Sequence, residues 1–122
     1  MPALRRLPPF ILVVEDEALV RGCAVAELEE AGFHVIEAAN ADEAFRQFED
    51  HALVTTLFTD INMPGEFDGL SLAHKVSRLR PKVQLILTSG RRTPLESEMP
   101  TGSQFLAKPY NCNLLTSLIK AA

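Results

Sequence analysis

The chain has 122 residues and a formal charge of −4, with 47% hydrophobic and 23% charged residues. This is one soluble domain's worth of sequence, long enough to bury a core without disulfide or metal staples. A negative balance with no stripe of Lys or Arg argues against nucleic acid as a direct partner, and Arg5-Arg6 and Arg91-Arg92 read as solvated pairs. No stretch is apolar for long enough to cross a membrane. Residues 1–9 are basic but lack the apolar segment of a signal peptide, so they read as a short arm ahead of a domain at 10–122. Cys23 and Cys112 belong to no C-x-x-C pattern and read as small, semi-buried thiols in a reducing compartment. The expected location is the cytoplasm.

Phe10–Val14 is a continuous apolar run rich in β-branched residues, the pattern of a strand buried on both faces. Glu15-Asp16-Glu17 ends it, and a helical pattern runs from Ala18 to Ala31 before Gly32 stops it. The helix macrodipole favours one acid there but does not explain adjacent acids crowning a buried strand. Phe33–Glu37 is a second strand. Asn40 caps a helix to about Asp50, with Glu43 completing a capping box. Leu53–Thr59 is a third strand that leads into Asp60, and Met63-Pro64-Gly65 turns the chain. After a turn at Asp68-Gly69, a helix from Leu70 to about Leu79 places Leu72, Ala73, Val76 and Leu79 at helical spacing until Pro81 blocks it. Val83–Leu87 is a fourth strand and Gln104–Ala107 a short fifth. Asn111 then caps a last helix through Leu114, Leu115, Leu118 and Ile119.

Strands alternating with helices through short connections predict an α/β fold, a doubly wound parallel sheet with helices on both faces. The flavodoxin-like order 2-1-3-4-5 puts the first and third strands side by side, so Glu15, Asp16 and Asp60 converge at their C-terminal ends. Thr88 and Lys108 end the next two strands. Converging carboxylates suit a hard divalent cation such as Mg²⁺, which needs only two or three of them. His34, His51 and His74 have no spacing useful for a transition metal. A carboxylate can attack phosphorus to give an aspartyl-phosphate, with a metal and a fixed ammonium neutralising the transferring group. Asp60 fits the acceptor, Glu15 and Asp16 the metal, Thr88 and Lys108 the phosphoryl oxygens.

These pieces, in order and register, resemble the receiver domain of two-component response regulators. They are Ile-Leu-Val-Val-Glu15-Asp16-Glu17, Thr59-Asp60-Ile61-Asn62-Met63-Pro64 with Asp68-Gly69, Leu87-Thr88-Ser89-Gly90, and Phe105-Leu106-Ala107-Lys108-Pro109. The wording around them is similar to alphaproteobacterial receivers. The resemblance implies a signalling phosphoacceptor, which catalyses only its own phosphorylation and dephosphorylation. Asp60 would be phosphorylated by a histidine kinase or a histidine phosphotransfer protein. It implies Mg²⁺ held by Asp16, Asp60 and the Asn62 backbone carbonyl, with Glu15 acting mainly through water. It places Thr88 and Phe105 at switch positions, although Phe105 also suits a plain core aromatic. The Lys108-Pro109 bond would be cis. The downstream target is a protein, and the expected state is a monomer or weak homodimer.

Two features depart from the family pattern. Gly65-Glu66 lengthens the loop after Met63-Pro64. Between the fourth and fifth strands, where the family has a helix of about three turns, residues 91–103 carry Pro94, Pro100 and Gly102. Thr93 can cap, Pro94 can open and Glu96 can complete a capping box, but Pro100 ends the helix within a turn or two. The prediction is a shortened or irregular helix there. The chain ends soon after the last helix, and Met1 favours a stand-alone receiver over a piece of a longer protein. The competing readings are a phosphohydrolase of the haloacid dehalogenase type and a receiver-like binding module that does not use phosphate. The first would need a second Asp two residues after its nucleophile, where Asn62 stands. Against the second stands the complete set of Glu15, Asp16, Asp60, Thr88 and Lys108.

Overall fold

The apolar runs pair in parallel as β1 (Phe10–Val14), β2 (His34–Ala38), β3 (Thr56–Asp60), β4 (Gln84–Ser89) and β5 (Gln104–Ala107). In the computed structural model, which describes residues 9–121, their order is β2-β1-β3-β4-β5. The arm expected at residues 1–9 therefore lies outside the described residues except for Pro9, whose carbonyl accepts the His34 N–H at 3.2 Å.

Alternation along the strands divides the core into two layers. Leu12, Leu57, Leu85 and Leu87 point to one face, where α2 (Ala41–Asp50) contributes Ala44 and Phe48 and α3 (Gly69–Leu79) contributes Leu72 and Val76. Ile11, Val13, Phe58 and Ile86 point to the other, against Ala24 and Leu28 of α1 (Ala18–Glu30) and Leu115 and Ile119 of α4 (Cys112–Lys120). Each of these large side chains, fully buried, contributes about 1.5–3 kcal/mol relative to exposure. That is ample to hold the sheet.

Local chemistry sets the element ends. Gly32 takes the left-handed conformation at φ 97° and turns the chain out of α1, as its position predicts. Asn40 caps α2 by accepting the Glu43 N–H at 2.8 Å, while the Glu43 carboxylate reaches back to the Ala39 N–H at 3.5 Å and not to Asn40. Asp68 is a helix cap rather than a turn residue: its carboxylate accepts the Ser71 N–H at 2.9 Å, and α3 starts at Gly69. β3 begins three residues later than its apolar run suggests. Val54 closes a turn onto the His51 carbonyl and Leu53 is 61% exposed, so hydrophobicity there does not mark a strand.

Between β4 and β5 the chain has only a single 3₁₀ turn at Glu96–Glu98. Pro100 stops it as predicted, with Met99 extended at φ −97° and ψ 149°. The start differs from the expectation. Thr93 and Glu96 form no capping box; instead the Glu98 carboxylate accepts the Leu95 N–H at 2.8 Å and pairs with Arg92 at 2.9 and 3.2 Å. The turn is moored to α3, where the His74 Nε2–H donates to the Glu98 carbonyl at 2.7 Å.

Candidate functional site

The C-terminal ends of β1, β3, β4 and β5 meet at one edge of the sheet. Register places Asp60 opposite Thr88 and Val14 opposite Thr59, so the acids after β1 lie beside the end of β3. Carboxylate oxygens of Glu15, Asp16 and Asp60 all lie within 4.8 Å of one another. Glu15 and Asp60 are buried, at 4% and 6% exposure, while Asp16 is open to solvent.

Lys108 arrives from the end of β5, its backbone N–H donating to the Ser89 carbonyl at 2.9 Å. Its ammonium donates to Asp60 Oδ2 at 2.7 Å and also to Glu15 Oε1. One cation against three carboxylates leaves two negative charges uncompensated within this group. Burial raises the Glu15 carboxyl above the ordinary value, although the hydrogen bonds from Lys108 and the Glu17 N–H work against it. Burial also opposes the Lys108 ammonium, but its hydrogen bonds to Asp60 and Glu15 outweigh that and raise it above an ordinary lysine.

Two further observations bear on what the site can hold. The Thr88 hydroxyl is buried and has no hydrogen-bond partner among the described residues. An orphaned buried hydroxyl costs about 1–3 kcal/mol, so it marks a place prepared for an acceptor oxygen. A hollow of about 230 Å³ is lined by Asp16, Asp60, Asn62, Arg91 and Lys108. An all-oxygen donor set with excess negative charge fits Mg²⁺ rather than a softer metal.

The comparisons with known proteins agree with this chemistry. The family model described as response regulator receiver domain matches residues 11–120. The chain belongs to that family. Among curated relatives, the receiver is 30% identical over 113 residues to the response regulator receiver protein CpdR of Brucella abortus, covering 90% of this chain and 92% of that protein. It is 32% identical over 114 residues to the sensor kinase CckA of the same organism, covering 90% of this chain but 12% of the kinase. The solved receiver domain of the hybrid histidine kinase CckA superposes with a TM-score of 0.76 at 33% identity, covering 92% and 96% of the two chains. A CheY-like receiver from Methanospirillum hungatei JF-1 gives 0.83 at 27% identity, covering 94% and 93%. Receiver domains are the phosphoacceptor modules of two-component signalling, and this chain is one of them.

Glu15, Asp16, Asp60, Asn62 and Lys108 come together at this end of the sheet, with Thr88 opposite Asp60 in register. The Lys108-Pro109 bond is cis. Phe105 is half-buried, opposite Leu87 in register and packed against the α2–α3 layer of the core. Asn62 lines the hollow, its backbone N–H donating to Asp60 Oδ1 at 2.8 Å and its side-chain amide meeting the Ser89 hydroxyl.

Four residues have supporting roles that the sequence reading did not assign. Ser89 ties the β3 and β4 loops together, because its Oγ also accepts the Arg91 and Arg92 N–H groups at 3.1 and 3.3 Å. Arg21 on α1 donates to the Glu15 carbonyl at 2.8 Å while paired with Glu37. Arg91 lines the hollow, and Gly69 lets α3 approach so closely that a Cβ would sit 1.9 Å from the Asp60 carbonyl.

Proposed function

We propose that Asp60 is the phosphoryl acceptor of this receiver, with Lys108 and Thr88 holding the transferred group. The observation that supports this most directly is the pairing of a buried Asp60, held by Lys108, with an unpartnered Thr88 hydroxyl opposite it in register. A carboxylate oxygen of Asp60 attacks phosphorus, forming the acyl-phosphate P–O bond. The bond to the donor, a phosphohistidine of a kinase or phosphotransfer protein, breaks, and the leaving imidazole nitrogen keeps its electron pair. Lys108 keeps its charge on the equatorial oxygens, and Thr88 donates the hydrogen bond it otherwise lacks.

Asp16, Asp60 and the Asn62 backbone carbonyl would hold Mg²⁺, with Glu15 acting through water. That cation would supply the positive charge that the carboxylates lack and that the transferring group needs. Glu15 has a second task, since its Oε2 accepts the Glu17 N–H at 3.2 Å and fixes the turn into α1. Movement of Thr88 toward the phosphoryl group, with Phe105 following inward, would carry the signal by shifting an existing equilibrium.

The test is incubation with acetyl phosphate and Mg²⁺, read by intact mass. One phosphoryl adduct is expected on the native chain and none on Asp60→Asn. An adduct that survives Asp60→Asn, or no adduct on the native chain, would overturn the assignment. Multiple turnover of small phosphate esters would instead point to a hydrolase.

A further inference from the structure

A second cluster of reactive side chains lies on the α1–α4 face, away from the carboxylates. The two cysteines are far apart in sequence, and the fold places both on the wall of one groove. Cys23 immediately precedes Ala24, which packs into the same core layer as Leu115 and Ile119 of α4. Cys112 is the first residue of α4. Both line one groove of about 510 Å³, whose other walls are Leu19, Val20, Pro109 and Tyr110, with Lys108 at one end. Neither thiol is engaged in a disulfide; Cys23 is exposed and Cys112 half-buried.

We propose that Cys23 and Cys112 form an oxidisable dithiol, closed into an intramolecular disulfide by a low-molecular-weight disulfide of the glutathione type. The surroundings divide the labour. Cys23 is open to a solvent-borne oxidant. The Cys112 thiol is half-buried and raised above its ordinary value, chiefly by burial and then by Glu27.

The Cys23 thiolate attacks one sulfur of the oxidant, whose S–S bond breaks and releases one thiolate. The result is a mixed disulfide at Cys23. Cys112 then loses its proton to solvent and attacks Cys23 Sγ, expelling the second thiol. Two protein thiols are oxidised and one disulfide is reduced to two thiols, so atoms and electrons balance. In a reducing compartment such a bridge is transient, the form that redox-sensing disulfides take.

The proposal rests on α1 and α4 alone and is independent of the assignment of Asp60. A disulfide requires the two Cα atoms to come within about 7 Å, so the bridge also measures the distance across the groove. The groove's wall carries the chain's one tyrosine, and there is no tryptophan, so tyrosine fluorescence reports its closure.

The experiment equilibrates the full folded chain with graded ratios of oxidised to reduced glutathione, followed by intact mass and peptide mapping. The native chain should lose two hydrogens, remain monomeric, yield a Cys23–Cys112 cross-linked peptide and change its tyrosine emission. Cys112→Ser should stop at a single glutathione adduct on Cys23. Cys23→Ser should react roughly tenfold more slowly, as a less accessible thiol raised above its ordinary value does. Serine is close to isosteric, and unchanged far-ultraviolet dichroism of both variants keeps the comparison sound. A stable glutathione adduct on the native chain, a covalent dimer, or glutathione addition no slower in Cys23→Ser than in Cys112→Ser would overturn the proposal.

Discussion

A single missing methyl group decides whether Asp60 can sit where it does. A Cβ on Gly69 would lie 1.9 Å from the Asp60 carbonyl oxygen and 2.8 Å from Ile61 Cα. Both neighbours are backbone, so no side-chain rotation relieves the clash, and either β3 or the start of α3 must move. Overpacking of this kind costs about 1–3 kcal/mol, occasionally more, and a backbone-on-backbone contact belongs at the upper end. Gly69→Ala should therefore lower the urea midpoint by the equivalent of about 3 kcal/mol and weaken Mg²⁺ binding, because the displaced residue is the central carboxylate. Native-like stability with native-like Mg²⁺ affinity would refute the role given to this contact. Asp60 itself was legible in the sequence, since an apolar strand ending in an acid before Met-Pro-Gly declares its position. Gly69 was not, because its importance comes from how closely a helix approaches a strand, a distance that no local pattern encodes. Ser89 was hidden for a similar reason: three donors reach its hydroxyl from two loops.

Among the elements, the strands and the four helices were readable because period and punctuation agree, and the parallel sheet followed from alternation, its order being the flavodoxin-like one of the two common choices. The stretch from Arg91 to Ser103 was readable only as an irregularity. Pro100 fixes Met99 as extended, which leaves too few residues for a helix opened at Pro94 to repay its nucleation. A 3₁₀ turn needs fewer, and its N-terminal N–H is satisfied by Glu98 rather than by the capping residue suggested at Thr93. Glu98 thus joins Arg92, Leu95 and, through its carbonyl, His74 of α3. Its carboxyl is held below the ordinary value, chiefly by the Arg92 hydrogen bond and then by the Leu95 N–H. Glu98→Ala should speed amide hydrogen exchange at Leu95, Glu98 and Met99 while leaving β3 and β4 protected. Glu98→Gln, which keeps an acceptor for Leu95 but not the charge, should fall between. Unchanged exchange in Glu98→Ala would show that His74 and the prolines hold the turn by themselves.

At the scale of the whole molecule, folding gathers like charges that the unfolded chain keeps apart, and the sign of that cost can be worked out. Glu15 has a raised folded value, so the folded chain binds its proton more tightly than the unfolded chain does. Its favourable contribution is present below the ordinary 4.5 and is lost as pH rises through the folded value. Lys108 is raised too, so its contribution persists up to the ordinary 10.5 and is lost only as pH rises further through its folded value. As pH rises the metal-free fold therefore keeps the ammonium's benefit but bears a growing penalty for the burial of Glu15. A cation that binds only the folded state reverses this penalty, adding about 1.4 kcal/mol at tenfold its dissociation constant. The Mg²⁺-induced rise in melting temperature should then be larger at pH 8 than at pH 5, where protons compete for the same carboxylates. Glu15→Gln should flatten this pH dependence, and Asp60→Asn should shrink the rise at both pH values because it removes one of the three clustered carboxylates. An equal Mg²⁺ effect in Asp60→Asn would place the cation elsewhere. A larger effect at pH 5 would mean that the carboxylates do not hold it at all, since no arrangement of ionised acids binds a dication better once protonated.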